Sequence, residues 1–165
     1  MKLKAGDIFT IPINGDKSGF GQIVEVPNKN NFIIIVFEEV YDNQQLPVLA
    51  KVISSKVLFF GYTMDALLYH KYWKIVGNSL VNLEKIKMPY YKLGSAGDFK
   101  LVNHKGDFIS KISKEKFEKL NYHEIIAPIR YENAFKAYHG IGEWHDDYDE
   151  LLYSKVLEGI SFIEG

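Results

Sequence analysis

Lys4 to Val26 reads KAGDIFTIPINGDKSGFGQIVEV, and the rest of the chain is organised around it because it encodes a complete β-hairpin. Ile8, Thr10 and Pro12 fall on one face of its first strand and Phe9, Ile11 and Ile13 on the other, since successive side chains on a strand alternate. Both faces carry apolar residues, which predicts burial between layers or inside a small barrel and not a sheet with one wet side. Asn14 to Ser18, with Gly15, supplies the polar loop that closes the hairpin. The returning strand opens on Gly19-Phe20-Gly21. Two glycines so close in a strand mark a bulge, a bend or a backbone approached closely by another group. The reading here is a barrel corner, with a ligand-contact loop as the alternative, and Gly21 is expected to hold a conformation or contact that rejects a side chain.

At 165 residues the chain is long enough for one domain, 1–165, that buries roughly 70% of its unfolded surface. Aromatics reach 15%, with 11 Tyr and 11 Phe, a composition that favours sheet over a helix bundle. There is no cysteine, so disulfides, thiolate zinc sites and cysteine nucleophiles are excluded. MKLKAGDIF carries no apolar run, and no later stretch reaches the roughly 18 apolar residues of a membrane span, which predicts a soluble, cytoplasmic protein. The net charge of -1 hides an asymmetry: residues 143–165 hold seven acids and one base, and the remainder is basic. The lysines are spread along the chain, as on a solvated face.

Further along, Phe32 to Val40 (FIIIVFEEV) reads as a central strand, Val57 to Tyr62 as another, and Thr63 as the cap of a short helix running to about His70. Val48 to Ser54 is apolar without a decided period. Tyr72 to Val76 is a strand with Trp73 turned inward, and a buried indole N–H needs a partner. Leu80 to Leu83 and Tyr90 to Leu93 are weaker strands. Phe99 to Val102 and Phe108 to Ile112 pair through His104-Lys105-Gly106-Asp107. Ser113 caps a helix through Leu120. Tyr131 to Tyr138 and Asp146 to Glu158 complete the helices, the last with Tyr148, Leu151, Leu152, Lys155 and Val156 as its inward stripe. The expected class is therefore α+β: a mainly antiparallel twisted sheet, or a partly open SH3-like barrel, followed by two or three C-terminal helices.

GDIFTIPI, a short polar loop and then GFGQIVEV resemble the opening of the immunity protein 26 family of bacterial polymorphic toxin systems. Tyr72-Trp73-Lys74-Ile75-Val76-Gly77 resembles that family's central tryptophan and glycine segment, and the likeness runs from about Lys4 to the helix ending near Tyr138. Within these motifs Gly6, Asp7, Gly19, Gly21, Trp73 and Gly77 are expected to be structural positions. The resemblance implies a protein that binds a cognate toxin domain encoded beside it and neutralises it by occlusion. A Gly-Asp strand opening is also shared by SH3-like barrels of other function, so a nucleic-acid-binding or ribonuclease module is the alternative.

The densest polar cluster is His139, Glu143, His145, Asp146, Asp147 and Asp149. Histidine and carboxylate can ligate a divalent cation, but Gly140 and Gly142 interrupt the helix that the His139/Glu143 spacing requires. No metal and no cofactor are expected. A solvated, acid-rich helix start is one reading of this cluster. The other is a partner-binding surface of Glu143, Trp144, His145, Asp146, Asp147, Asp149 and Glu150, with Trp144 as its aromatic anchor. No Gly-x-Ser-x-Gly elbow or phosphate loop occurs; Gly94 to Gly97 reads as a plain turn, and Asp7 as a turn carboxylate and not a catalytic acid. Nothing in the sequence points to an enzyme. If the toxin is a nuclease, an acidic surface complements its phosphate-binding groove.

Overall fold

The computed structural model describes residues 2–165. Asp7–Pro12 (β1) and Lys17–Glu25 (β2) form the expected hairpin, in a register that sets Ile8 opposite Gln22 and Ile11 opposite Gly19. Asn14 ties its loop: Oδ1 accepts the backbone N–H groups of Asp16 at 2.8 Å and Lys17 at 2.9 Å. Asn31–Phe37 (β3) pairs with β2, and the short Tyr41–Asp42 (β4) meets the start of β2. After the helix Leu49–Ile53 (α1), Val57–Met64 (β5) pairs with β3. A one-turn helix, Ala66–Tyr69 (α2), leads to Lys74–Asn78 (β6), which pairs with β1. The strand order is β5-β3-β2-β1-β6, antiparallel throughout, with β4 off the path. The sheet is open, with β5 and β6 as its two edges, and does not close into a barrel.

A second sheet of three strands follows, Tyr91–Leu93 (β7), Lys100–Val102 (β8) and Phe108–Lys111 (β9). Helices Lys114–Glu118 (α3), Pro128–Tyr138 (α4) and Tyr153–Glu164 (α5) come after it, with the 3-10 segment Asp146–Leu151 before α5. The class is α+β, and the helices contribute too much of the core for a mainly β description. Among the described residues no helix is long and apolar enough to cross a membrane.

The first sheet is covered on both faces, and β3 shows why. Phe32, Ile34 and Val36 enter one apolar cluster with Phe9, Trp73, Tyr131, Phe135 and Leu151. Ile33, Ile35 and Phe37 enter another with Ile8, Phe60, Tyr91, Val156 and Ile160. Alternation along one strand thus divides six large side chains between two cores, each fully buried one contributing roughly 1.5–3 kcal/mol. Helix α4 covers the first face, and α5 with the second sheet covers the other.

This arrangement corrects the expectation of one helix from Asp146 to Glu158. Tyr148 and Leu151 belong to the first core and Val156 to the second, so the chain must pass around a sheet edge between them. It does so at Leu152, extended at φ -64°, ψ 127°, which bridges Phe59 on β5. A continuous helix would leave one of the two clusters uncovered.

Two smaller expectations also fail. Thr63 does not cap α2; it is buried in β5 and its hydroxyl donates to the Ile126 carbonyl at 2.7 Å. Leu80 to Leu83 is not a strand, because the Ser79 carbonyl accepts from Gln22 Nε2 at 2.8 Å and the chain turns into a 3-10 segment, Leu83–Lys85.

Candidate partner-binding surface

Trp73 lies just before β6 and is 1% exposed. Its ring stacks on Phe9 at 5.0 Å and 10°, and Nε1 donates to Glu132 Oε1 at 3.1 Å. Glu132 sits on α4, 59 residues away, and its other oxygen accepts from Lys136 Nζ at 3.3 Å. The carboxylate answers the demand of a buried indole, and the ammonium compensates the carboxylate.

The far end of β6 is tied just as firmly. Asn78 Nδ2 donates to Asp7 Oδ1 at 2.9 Å and to the Ala5 carbonyl at 3.0 Å, while Asp7 Oδ2 accepts the Lys4 N–H at 3.0 Å. Gly6 has φ +91°, and a Cβ there would stand 2.7 Å from the Ser79 carbonyl oxygen. Gly77 lies beneath Leu49, whose Cδ1 would be 2.2 Å from an added Cβ. The glycine pair of β2 is a packing device and not a bulge or barrel corner: an added Cβ would meet Phe135 at 2.2 Å from Gly19, and Phe9 at 2.4 Å from Gly21. The β1/β2 register is unbroken there.

The acid-rich segment is arranged differently from a free charged patch. Glu143, His145, Asp146, Asp147 and Asp149 are exposed, while Trp144 and Glu150 are half-buried. Trp144 stacks loosely on Phe59 and donates from Nε1 to Asp149 Oδ1 at 2.8 Å. Arg130 Nη2 pairs with Asp147 Oδ2 at 3.0 Å and Glu150 Oε1 at 2.8 Å. Asp147 and Glu150 therefore brace the turn against α4 and Asp149 ties it to Trp144, while Glu143 and Asp146 point to solvent without an ion pair or hydrogen bond among the described residues. His139 turns away from them, its Nε2 2.8 Å from the Glu38 carbonyl oxygen. Among the described residues no three His, Asp or Glu side chains are placed to hold a metal ion.

Where the second sheet meets the first, Tyr62 donates to the His104 carbonyl at 2.7 Å and His104 Nε2 approaches Glu25 at 2.9 Å. Burial pushes the Tyr62 phenol up to about 12, with Glu25 and Asp107 adding to it. His123 packs edge-on to Tyr62 and Tyr91, its Nε2 buried without a partner, and burial lowers its pKa. A lowered folded-state pKa means the unfolded chain binds the proton more readily, so this group costs stability as pH falls below about 6.5. The expected result is a wild-type melting temperature that drops between pH 7 and 5 more steeply than that of His123→Phe, measured by thermal melts. Parallel pH profiles would contradict it.

With this geometry in view, the comparison with protein families is decisive: the profile described as Immunity protein 26 matches residues 4–103. The chain belongs to the immunity protein 26 family. The matched span holds β1 to β8, Trp73 and every motif glycine of the hairpin; α4, the acid-rich segment and α5 lie beyond it. No curated protein and no solved structure matches.

Sequence reasoning missed Glu132 as the partner of Trp73, and it missed that β6 forms an edge. The first has no local signal, because a Glu in a helix reads as surface. The second was partly legible in Lys74-Ile75-Val76-Gly77-Asn78, a run without the continuous apolar character of β3.

Proposed function

We propose that this protein is a cytoplasmic immunity protein that binds a cognate toxin domain and neutralises it by occlusion, acting through a surface and not through catalysis. Membership of the immunity protein 26 family carries this reading. The composition and geometry are consistent with it: polar clusters such as Trp73-Glu132-Lys136 and Asp7-Asn78 are internally satisfied and serve the fold.

The acid-rich segment is one surface for such a partner. Glu143 and Asp146 are its uncommitted charges, and against a basic groove they would speed encounter in a salt-dependent way. Glu143→Gln with Asp146→Asn is expected to slow association with the toxin domain roughly threefold at low salt and to flatten its salt dependence, with a melt within about 0.5 kcal/mol of wild type. Asp147→Asn, which touches Arg130, is expected to lower the melt as well. Stopped-flow binding at two ionic strengths measures both; unchanged association rates in the first variant place the interface elsewhere.

A second reading, a nucleic-acid-binding or ribonuclease module, draws on the second sheet. Lys100 and Lys111 stand opposite one another there, beside exposed Phe108. Labelled RNA titrated at low and moderate salt separates the readings, because binding that survives moderate salt favours the module.

A further inference from the structure

The two edges of the first sheet are treated in opposite ways. Along β5 the chain covers itself: Leu152 bridges Phe59, Ile125 bridges Tyr62, and the Tyr62 carbonyl accepts from the Ile126 N–H at 3.1 Å and the Tyr131 hydroxyl at 2.8 Å. Along β6 nothing comparable occurs. Its only strand partner is β1, and among the described residues no other backbone hydrogen bond reaches Lys74 to Asn78. An uncovered edge offers unpaired N–H and C=O groups to any extended chain, and folds normally blunt it. Here there is no proline, and the only devices are Lys74 and a bulge at Val76, where the β1/β6 register shifts.

The edge is also apolar and rigid. Ile75 and Val76 are about 40% exposed, and the chain leading into β6 exposes Tyr69 and Tyr72 while the chain leaving it exposes Leu80 and Val81, the last at 80%. Trp73 is locked to Phe9 and Glu132 at one end of the strand, and Asn78 to Asp7 at the other. A strand held at both ends loses little further freedom when a partner pairs with it.

Charge selects the occupant. Residues 66–83 contain no acid and include Lys71 and Lys74, neither of which forms an ion pair among the described residues. Asp7, on the paired strand, is buried and bonded to Asn78. A second copy of this chain would bring four lysines together with no carboxylate between them, whereas an acidic strand would neutralise both.

We propose that the open edge of β6 is the docking site for an extended, acidic strand of the toxin domain, added to the sheet by backbone pairing. This rests on the immunity reading above and gives it a contact mode. The test is hydrogen exchange, read by mass spectrometry over residues 73–79, on the full chain alone and mixed with the toxin domain encoded beside its gene. The β6 amides are expected to exchange about tenfold more slowly in the complex. Lys71→Glu with Lys74→Glu is expected to raise Kd roughly tenfold without lowering the melting temperature, since both side chains are solvent-facing. If wild type binds while β6 exchange and the variant's Kd are unchanged, the edge inference is overturned and the immunity reading stands. If wild type does not bind, the immunity reading fails and the edge inference falls with it. Protection of β6 in a homodimer seen by sedimentation, without toxin, also overturns it.

Discussion

Trp73→Ala is expected to lower the stability of this protein by about 3–5 kcal/mol, the range for deleting a buried aromatic whose surroundings cannot collapse. The surroundings here are firm. Phe9 loses its stacking partner, and Glu132 is left buried with Lys136 alone. Trp73→Phe separates the two contributions: it restores most of the stacking but not the indole N–H, so about 1–3 kcal/mol of loss remains for the unsatisfied carboxylate oxygen. Urea denaturation of both variants measures this, and a Trp73→Ala melt within a degree or two of wild type would remove Trp73 from the core account.

Gly21→Ala and Gly19→Ala are the second pair of large effects, about 1–3 kcal/mol each from overpacking. A Cβ on Gly21 overlaps the Phe9 ring and one on Gly19 overlaps the Phe135 ring, and both rings are fully buried, so neither can swing away. Gly15→Ala is the control, with nothing within 4 Å of its Cβ and an expected change under about 0.5 kcal/mol. Because Phe9 touches both Gly21 and Trp73, the two sites are coupled. In a Trp73→Ala background the Phe9 ring can move into the vacated space, and Gly21→Ala is expected to cost less than it does alone. Additive losses in that double-mutant cycle would show that the clash is relieved elsewhere.

These effects also show which parts of the fold were readable in one dimension. The hairpin was, because alternation and loop chemistry are local, and so was β3, whose six apolar residues in a row have no reading other than burial on both faces. That the two faces are covered by separate layers and not by a closing barrel was not readable. The deciding feature is Leu152, where the chain crosses from one core to the other, and its extended geometry has no marker in Glu150-Leu151-Leu152-Tyr153. The stripe of Tyr148, Leu151 and Val156 looks like one helical face because its spacing in the sequence fits a helical period, although the break sends its members to different cores.

The site was less legible than the fold. Acidic density drew attention to Glu143 to Glu150, yet sequence does not show that Arg130, on another helix, holds Asp147 and Glu150. Nor does it show which strand ends a sheet. The contrast between the two edges emerges only in the folded chain, where Ile125 and Leu152 cover Tyr62 and Phe59 of β5 from 63 and 93 positions later.

Inhibition by occlusion requires a stoichiometric complex. Titrating this protein into a fixed concentration of its proposed toxin domain, while following that domain's activity, tests occlusion. Activity is expected to fall linearly to zero at an equimolar endpoint and to return when the complex is dissociated. Loss of activity at a small fraction of equimolar protein, or full activity at a large excess, would contradict it.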